Sequence, residues 1–226
     1  MIDCIDETIT LGMLCLSAQS IEVDVKRARS AGVQVPALSN NRLERAYGKL
    51  PGVLRRDINE TYLLHGTAPD LILNLIAGGL NERYSKVAAF GNGNYFAEDC
   101  AKNDQYVTND PSYGAHADLH RRIYSKSYGH PNTKVYYLFL CRVTMGACVR
   151  TATTAPSSTD LDRPGKKVFP ISPRELGTIP GVTPATLFHG LIVEDHTPPT
   201  NLRFREFLVF HGEYAYPEYM LAYRRV

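Results

Sequence analysis

Three short stretches carry polar side chains where their surroundings are apolar. In "RFREFLVF", alternation puts Phe204, Glu206, Leu208 and Phe210 on one face and Arg205, Phe207 and Val209 on the other. Both faces are largely apolar, so Glu206 is a carboxylate within a buried strand. An unpaired buried carboxylate is costly. It therefore needs a partner such as Arg203 or Arg205, a route to solvent at the strand end, or a cavity to line, where it is available for chemistry. "YLLHG" runs apolar into His65, and Gly66 behind it either lets another group approach the backbone closely or supplies an unusual φ. A strand-end histidine also fits a purely structural role. In "FGNGNYFAEDCAKNDQYV" a turn with two glycines leads into a short strand, and acidic cap residues then start a helix. Tyr95 and Tyr106 flank that unit and can bring two flat rings to one pocket. The stretch is not a dinucleotide fingerprint, because G-x-G-x-x-G requires glycine where Phe96 stands and a helix where a strand follows.

The elements that must position these residues are mostly strands. "TYLLHG", "GNYFAE", "KVYYLFLCRVTMG", "LFHGLIVED", "RFREFLVFHG" and "YMLAYRRV" are short apolar runs rich in tyrosine, phenylalanine and valine, split by glycine and proline. The first fifty residues read as mainly helical, through "SIEVDVKRARSAGV" and "SNNRLERAYGKL", and short helices are expected at 69–77 and 98–106. Between Thr151 and Pro184 the chain is heavy in Thr, Ser, Pro and Gly and reads as a long surface loop, uncommon in a compact domain unless it is functional or disordered. Many strands with few crossovers predict an α+β domain of mostly antiparallel strands. The 226 residues, 44% hydrophobic and 21% charged, fit one domain with a proper core. The net charge of +2 gives no electrostatic footprint for nucleic acid. No apolar run reaches the roughly 18–20 residues of a membrane-spanning helix, and "MIDCIDETIT" lacks the basic start of a secretory leader. Five cysteines with no C-x-x-C pair predict reduced thiols and an intracellular location, cytoplasmic or nuclear.

"LHGT", "GLNERY", "FGNGNYFAEDCAKNDQYV", "YLFLCRVTMG" and "EFLVFHGEYAYPEYML", in this order, resemble the motifs of the poly(ADP-ribose) polymerase catalytic domain, and most closely its tankyrase branch. The resemblance covers about residues 40–226. It implies two packed, mostly antiparallel sheets around an NAD⁺ cleft, with helices at the N-terminal side. It also implies a His-Tyr-Glu triad of His65, Tyr95 and Glu206. By the same resemblance His65 bonds the adenosine ribose, Gly66 grips the nicotinamide carboxamide through its backbone, and Tyr95 and Tyr106 hold the ring from two sides. Glu206 binds the 2′-hydroxyl of the nicotinamide ribose. Thr67, Phe96, Ala97, Asn103 and the loop "NERYSKVAAF", with Arg83 and Tyr84, complete the implied NAD⁺ site. The implied reaction breaks a glycosidic bond through an oxocarbenium-like state. Nicotinamide is already a good cationic leaving group, so fixed geometry and a nearby negative charge are what the site must supply.

Two departures qualify the resemblance. Asn103 stands where the family usually has a carboxamide-binding serine, and an asparagine offers both a donor and an acceptor. The tankyrase zinc segment corresponds to "TNDPSYGAHADLHRRIYSKSYGHPNTK", which has no cysteine. Closed zinc sites usually include thiolates, so no metal is expected. His116 and His120, spaced i, i+4 with His130 nearby, are expected on a surface helix. The resemblance predicts one catalytic domain over 1–226, with 1–50 a helical lead-in, 51–226 the β-rich NAD⁺-binding core, and no regulatory helical domain. A monomer is expected, with a protein acceptor, including the chain itself. A nucleic-acid acceptor has no support in the charge. Mono- or poly-transfer stays open, since the acceptor pocket would involve "EDHTPPTNLR". A catalytically weak NAD⁺ or ADP-ribose binding module and an NAD⁺ glycohydrolase are the alternatives.

Overall fold

The tyrosine-, phenylalanine- and valine-rich runs do form strands, since β-branched and aromatic side chains pack well on a pleated surface. The computed structural model describes residues 2–4, 8–38, 43, 48–50, 52–85, 88–124 and 129–225. Among these, eight strands join in one hydrogen-bonded series: β1 (Ile2–Cys4), β2 (Glu60–Gly66), β3 (Asn94–Ala97), β4 (Tyr136–Thr144), β5 (Cys148–Thr151), β6 (Gly190–Val193), β7 (Glu206–Val209) and β8 (Ala215–Tyr223). Their order is β1-β8-β4-β2-β3-β7-β6-β5, and only β5 and β6 run parallel. Four helices among the described residues, α1 (Thr8–Ser30), α2 (Ile72–Gly78), α3 (Cys100–Asn103) and α4 (Ala117–Ile123), complete an α+β fold of mostly antiparallel strands, the class expected. The expected helix in "SNNRLERAYGKL" lies largely outside the described residues. The edge strands β1 and β5, three and four residues long, were not anticipated from the sequence. No described helix is long and apolar enough to cross a membrane.

The two expected sheets are joined, and the join is narrow. β2 pairs with β4 along its whole length, from Glu60 opposite Thr144 to Gly66 opposite Leu138. With β3 it shares the single register pair Leu64 and Ala97. β3 in turn pairs with β7 throughout, ending at Ala97 opposite Glu206. Beyond that one link the ladder splays into two halves, and His65, Gly66, Tyr95 and Glu206 all sit at the seam.

Strand alternation sends side chains into two sets of packing clusters, so both faces of the ladder are covered. Leu63, Phe96, Tyr137, Phe139, Phe207 and Val209 pack with Ile72 and Ile76 of α2 and Leu119 of α4. On the opposite face, Tyr62, Leu64 and Leu140 lie under Leu43, Leu50 and Leu54. Leu191, Val193, Leu208 and Phe210 are covered there by Val168, Phe169 and Leu176. The stretch between β5 and β6 is thus free of regular elements, as expected, but it is no mere surface loop: Val168 and Ile179 are almost fully buried. α1 docks through Ile21 and Val25 onto Ile58 and through Ala28 onto Ala147 and Ile179.

Candidate active site

A cleft of about 650 Å³ opens at the seam, within the usual range for a small-molecule site. Its walls include His65, Gly66, Tyr95, Phe96, Ala97, Asn103, Tyr106 and Glu206, eight of the residues expected to bind NAD⁺. His65 ends the buried run of β2, and its Nδ1 lies 2.8 Å from the Tyr95 carbonyl oxygen. A carbonyl only accepts, so Nδ1 carries the proton and Nε2 is left with a lone pair. Burial pushes the pKa of His65 down, against the opposing effect of the Tyr95 carbonyl, which favours that neutral tautomer. Gly66 is glycine for a steric reason. A Cβ there would lie 2.6 Å from the backbone oxygen of Asn103 and 3.1 Å from a Val107 methyl, so only glycine admits α3 this close to β2.

Tyr95 has its hydroxyl fully engaged: it accepts from the Phe90 N–H at 2.9 Å and donates to the Gly91 carbonyl at 2.8 Å. What Tyr95 offers a ligand is therefore its ring, while its hydroxyl fixes the loop before β3. Tyr106 is largely exposed, with Lys102 Nζ 5.0 Å from its ring centroid. Asn103 is buried, and its Nδ2 donates at 3.0 Å to the carbonyl of Asp99, the residue that caps the start of α3. No described residue donates to its Oδ1, which leaves an acceptor on the wall where an incoming amide donor would suit it.

Glu206 opens β7 and is only 6% exposed. Its partner is neither of the arginines expected. Arg205 forms a fork with both carboxylate oxygens of Glu98, at 3.0 Å each, and Arg203 lies over the Phe204 ring. Lys102 instead places its Nζ 3.1 Å from Glu206 Oε1 and donates to the Tyr106 hydroxyl at 2.9 Å. Burial alone would pull the Lys102 pKa down, but the Tyr106 hydroxyl and the Glu206 carboxylate together hold it above the usual lysine value. Lys102 is the site residue that sequence reasoning missed. It falls on the α3 unit that the reading singled out, but its meeting with Glu206 is a contact distant in sequence. Ala88, Ala89 and Phe90, from the end of the expected loop "NERYSKVAAF", do line the cleft, and so do Thr154, Thr200 and Leu202, which were not expected in the NAD⁺ site.

Three expected residues do not reach the cleft wall. Thr67 is buried just past the strand end, and Tyr84 is 85% exposed. Arg83 sits in a short 3-10 turn whose start is capped by Asn81, and it faces a separate small cleft beside Met13 and Glu213. The turn points this part of "NERYSKVAAF" outward, and Lys86 and Val87 lie outside the described residues.

Of the histidines expected on a surface helix, His116 is half-buried at the start of α4, and His120 is corrected. His120 of α4 is 1% exposed, because its Nε2 lies 2.5 Å from Asp110 Oδ2, which also accepts from the Tyr137 hydroxyl at 2.7 Å. His130 Nε2 approaches the same oxygen at 3.5 Å. The Asp110, His120 and His130 ligand atoms are grouped closely enough to hold a metal ion. Gly114 N–H donates to His120 Nδ1 at 2.9 Å, and Asn132 N–H to His130 Nδ1 at 3.0 Å. Each Nδ1 therefore holds a lone pair and the proton of each neutral ring is on Nε2; His120 Nε2 meets Asp110, whereas His130 Nε2 and Asp110 Oδ1 have no hydrogen-bond partner among the described residues. His120 and Tyr137 both bond the buried Asp110 carboxylate.

Residues 25–225, most of the chain, match the family model of the PARP, poly(ADP-ribose) polymerase, catalytic domain. The match begins inside α1, earlier than the resemblance at residue 40. With a cleft at the seam of a mostly antiparallel α+β ladder and a match of this length, the chain belongs to the poly(ADP-ribose) polymerase catalytic-domain family, ADP-ribosyltransferases that use NAD⁺ as substrate.

Proposed function

We propose that the chain transfers ADP-ribose from NAD⁺ to a protein side chain, or to the end of an ADP-ribose chain, with His65, Tyr95 and Glu206 as its working residues. The observation that carries this reading is the burial of Glu206 on the wall of the one cleft that also gathers His65, Gly66, Tyr95 and Tyr106. Nicotinamide lies against the Tyr95 ring with its carboxamide at the Gly66 backbone, and the Asn103 Oδ1 takes the carboxamide N–H. His65 Nε2 accepts a hydroxyl of the adenosine ribose. Glu206 accepts the hydroxyl of the nicotinamide ribose, setting negative charge beside the carbon where positive charge grows. The C–N glycosidic bond breaks with its electron pair leaving on nicotinamide. The acceptor atom then bonds to the anomeric carbon and releases its proton. Lys102 holds the Glu206 carboxylate in place from the side of Tyr106.

The tankyrase branch is the affinity we favour, on the five motifs and their order. Residues 51–226 act in this reading as one NAD⁺-binding core, with 1–50 as a lead-in. The test is Glu206→Gln, with nicotinamide release and protein-attached label measured together. Loss of a preorganised electrostatic group predicts a fall of about a hundredfold in turnover. Label attached by wild type and lost in the variant supports transfer, and the length of the attached product separates mono- from poly-transfer. Nicotinamide release without label would mean a glycohydrolase. Equal silence of both proteins, with NAD⁺ still bound, would mean a binding module.

A further inference from the structure

The loop 81–93 supplies Ala88, Ala89 and Phe90 to the cleft wall, yet its described residues include no strand and only one short 3-10 turn. Such a loop keeps one shape only if something outside it holds it. The stretch between β5 and β6 does so at several points. Arg174 donates from Nη1 to the Glu82 carbonyl at 3.1 Å and to the Asn92 carbonyl at 3.4 Å, and from Nη2 to the Ser85 carbonyl at 3.3 Å. One guanidinium thus ties both ends of the loop together. Next to it, the Asn92 N–H donates to the Pro173 carbonyl at 2.7 Å, and the Ala155 N–H to the Ala89 carbonyl at 2.8 Å. Gly91, at φ +106, lets the two segments close up: a Cβ there would meet the Phe169 ring at 2.6 Å and the Pro173 oxygen at 2.9 Å. Across the neck, the Ser85 hydroxyl donates to the Gly93 carbonyl.

We propose that this Thr-, Ser- and Pro-rich segment is a clamp that holds the cleft loop ready for NAD⁺, and that Arg174 is its positioning residue. The inference rests on the reading of the cleft as an NAD⁺ site. Arg174 does not line the cleft, so it acts through the loop. Three carbonyls in different directions suit the fixed fork of a guanidinium and not the point charge of an ammonium. Apparent affinity falls in proportion to the fraction of molecules holding the competent loop shape. A clamp whose loss leaves that shape populated about a fifth to a tenth of the time weakens NAD⁺ about five- to tenfold. The step that breaks the glycosidic bond is untouched.

The experiment compares wild type, Arg174→Ala and Arg174→Lys. Hydrogen exchange of the 81–93 amides is followed without NAD⁺, and KM for NAD⁺ and kcat are measured. Arg174 is exposed, so its replacement opens no hole in the core. Both variants are expected to exchange the loop amides faster, with KM raised about five- to tenfold and kcat within about twofold of wild type. Unchanged exchange and unchanged KM would overturn the clamp. So would rescue by lysine, or a general loss of melting temperature with kcat and KM both disturbed. Faster exchange in a protein whose wild type binds no NAD⁺ would overturn the function proposed for the cleft and the NAD⁺ role of the clamp, while leaving the bracing of the loop established.

Discussion

Glu206 and Lys102 show how one contact turns a costly side chain into a usable one. Both side chains are mostly buried, at 7% and 16% exposure, and each removes the burden the other would carry alone. Breaking a buried pair leaves an uncompensated charge, so Lys102→Met is expected to lower folding stability by about 3 kcal/mol, the low end for such pairs. Adding Glu206→Gln should restore more than half of that loss. Urea unfolding of the two single variants and the double variant measures the coupling, and additive losses would mean that the two groups do not depend on one another. Tyr95→Phe keeps the ring but strands the Phe90 N–H and the Gly91 carbonyl. It is expected to cost about 1–3 kcal/mol, to raise KM for NAD⁺, and to leave ring packing against nicotinamide in place, as steady-state kinetics and a thermal melt would record.

At the scale of elements, the site exists because β2 and β3 part after one pair. Strand pairing would otherwise occupy the edge of β2 that His65 and Gly66 present to the cleft. α3 fills the gap from the far side, close enough that Gly66 has no room for a methyl group. Gly66→Ala must push α3 away or bend β2, at an expected cost of about 1–3 kcal/mol for overpacking. Because Asn103 and Lys102 ride on α3, the same change should weaken NAD⁺ binding more than it lowers the melting temperature would imply. Calorimetric titration beside a thermal melt separates the two effects. An alanine variant with wild-type affinity would show that α3 has freedom to move.

The whole molecule stores neutral histidines. Burial lowers the pKa of His65, His130 and His189, with the Tyr95 carbonyl, Asp110 and Asp24 respectively acting in the opposite direction. In each case the folded value lies below the unfolded one of about 6.5. The unfolded chain therefore binds more protons than the folded chain over the interval between them, and stability rises with pH through that interval. Stability is fully present above about pH 6.5 and is lost as pH falls below it, by at most about 1.4 kcal/mol per unit for each histidine. Urea midpoints at pH 7.5 and pH 5.5 test this, and a midpoint that does not fall at the lower pH would show that acid costs the fold nothing there.

The sequence alone determined the strand-rich α+β class, six of the eight strands among the described residues, the helices around 69–77 and 98–106, and His65, Gly66, Tyr95, Tyr106 and Glu206 of the cleft. These follow from local physics: alternation, β-branched and aromatic content, glycine beside a polar strand end, and cap residues before a short helix. Family motifs added roles that spacing could not. The tertiary structure decided what depends on contacts between distant stretches. It gave Glu206 a lysine in place of Arg203 or Arg205, because Arg205 is held by Glu98 across the sheet. It turned Arg83 and Tyr84 away from the cleft wall through one short turn. It buried His120 and His130 around Asp110, a residue that nothing local distinguished. It also made the segment between β5 and β6 a wall and a brace, although its composition reads as loop, since one guanidinium and a few backbone amides hold it and none of these leaves a period in the chain. Local preference is written in neighbouring residues; partner choice for a buried charge is settled only when the folded chain brings the candidates within reach.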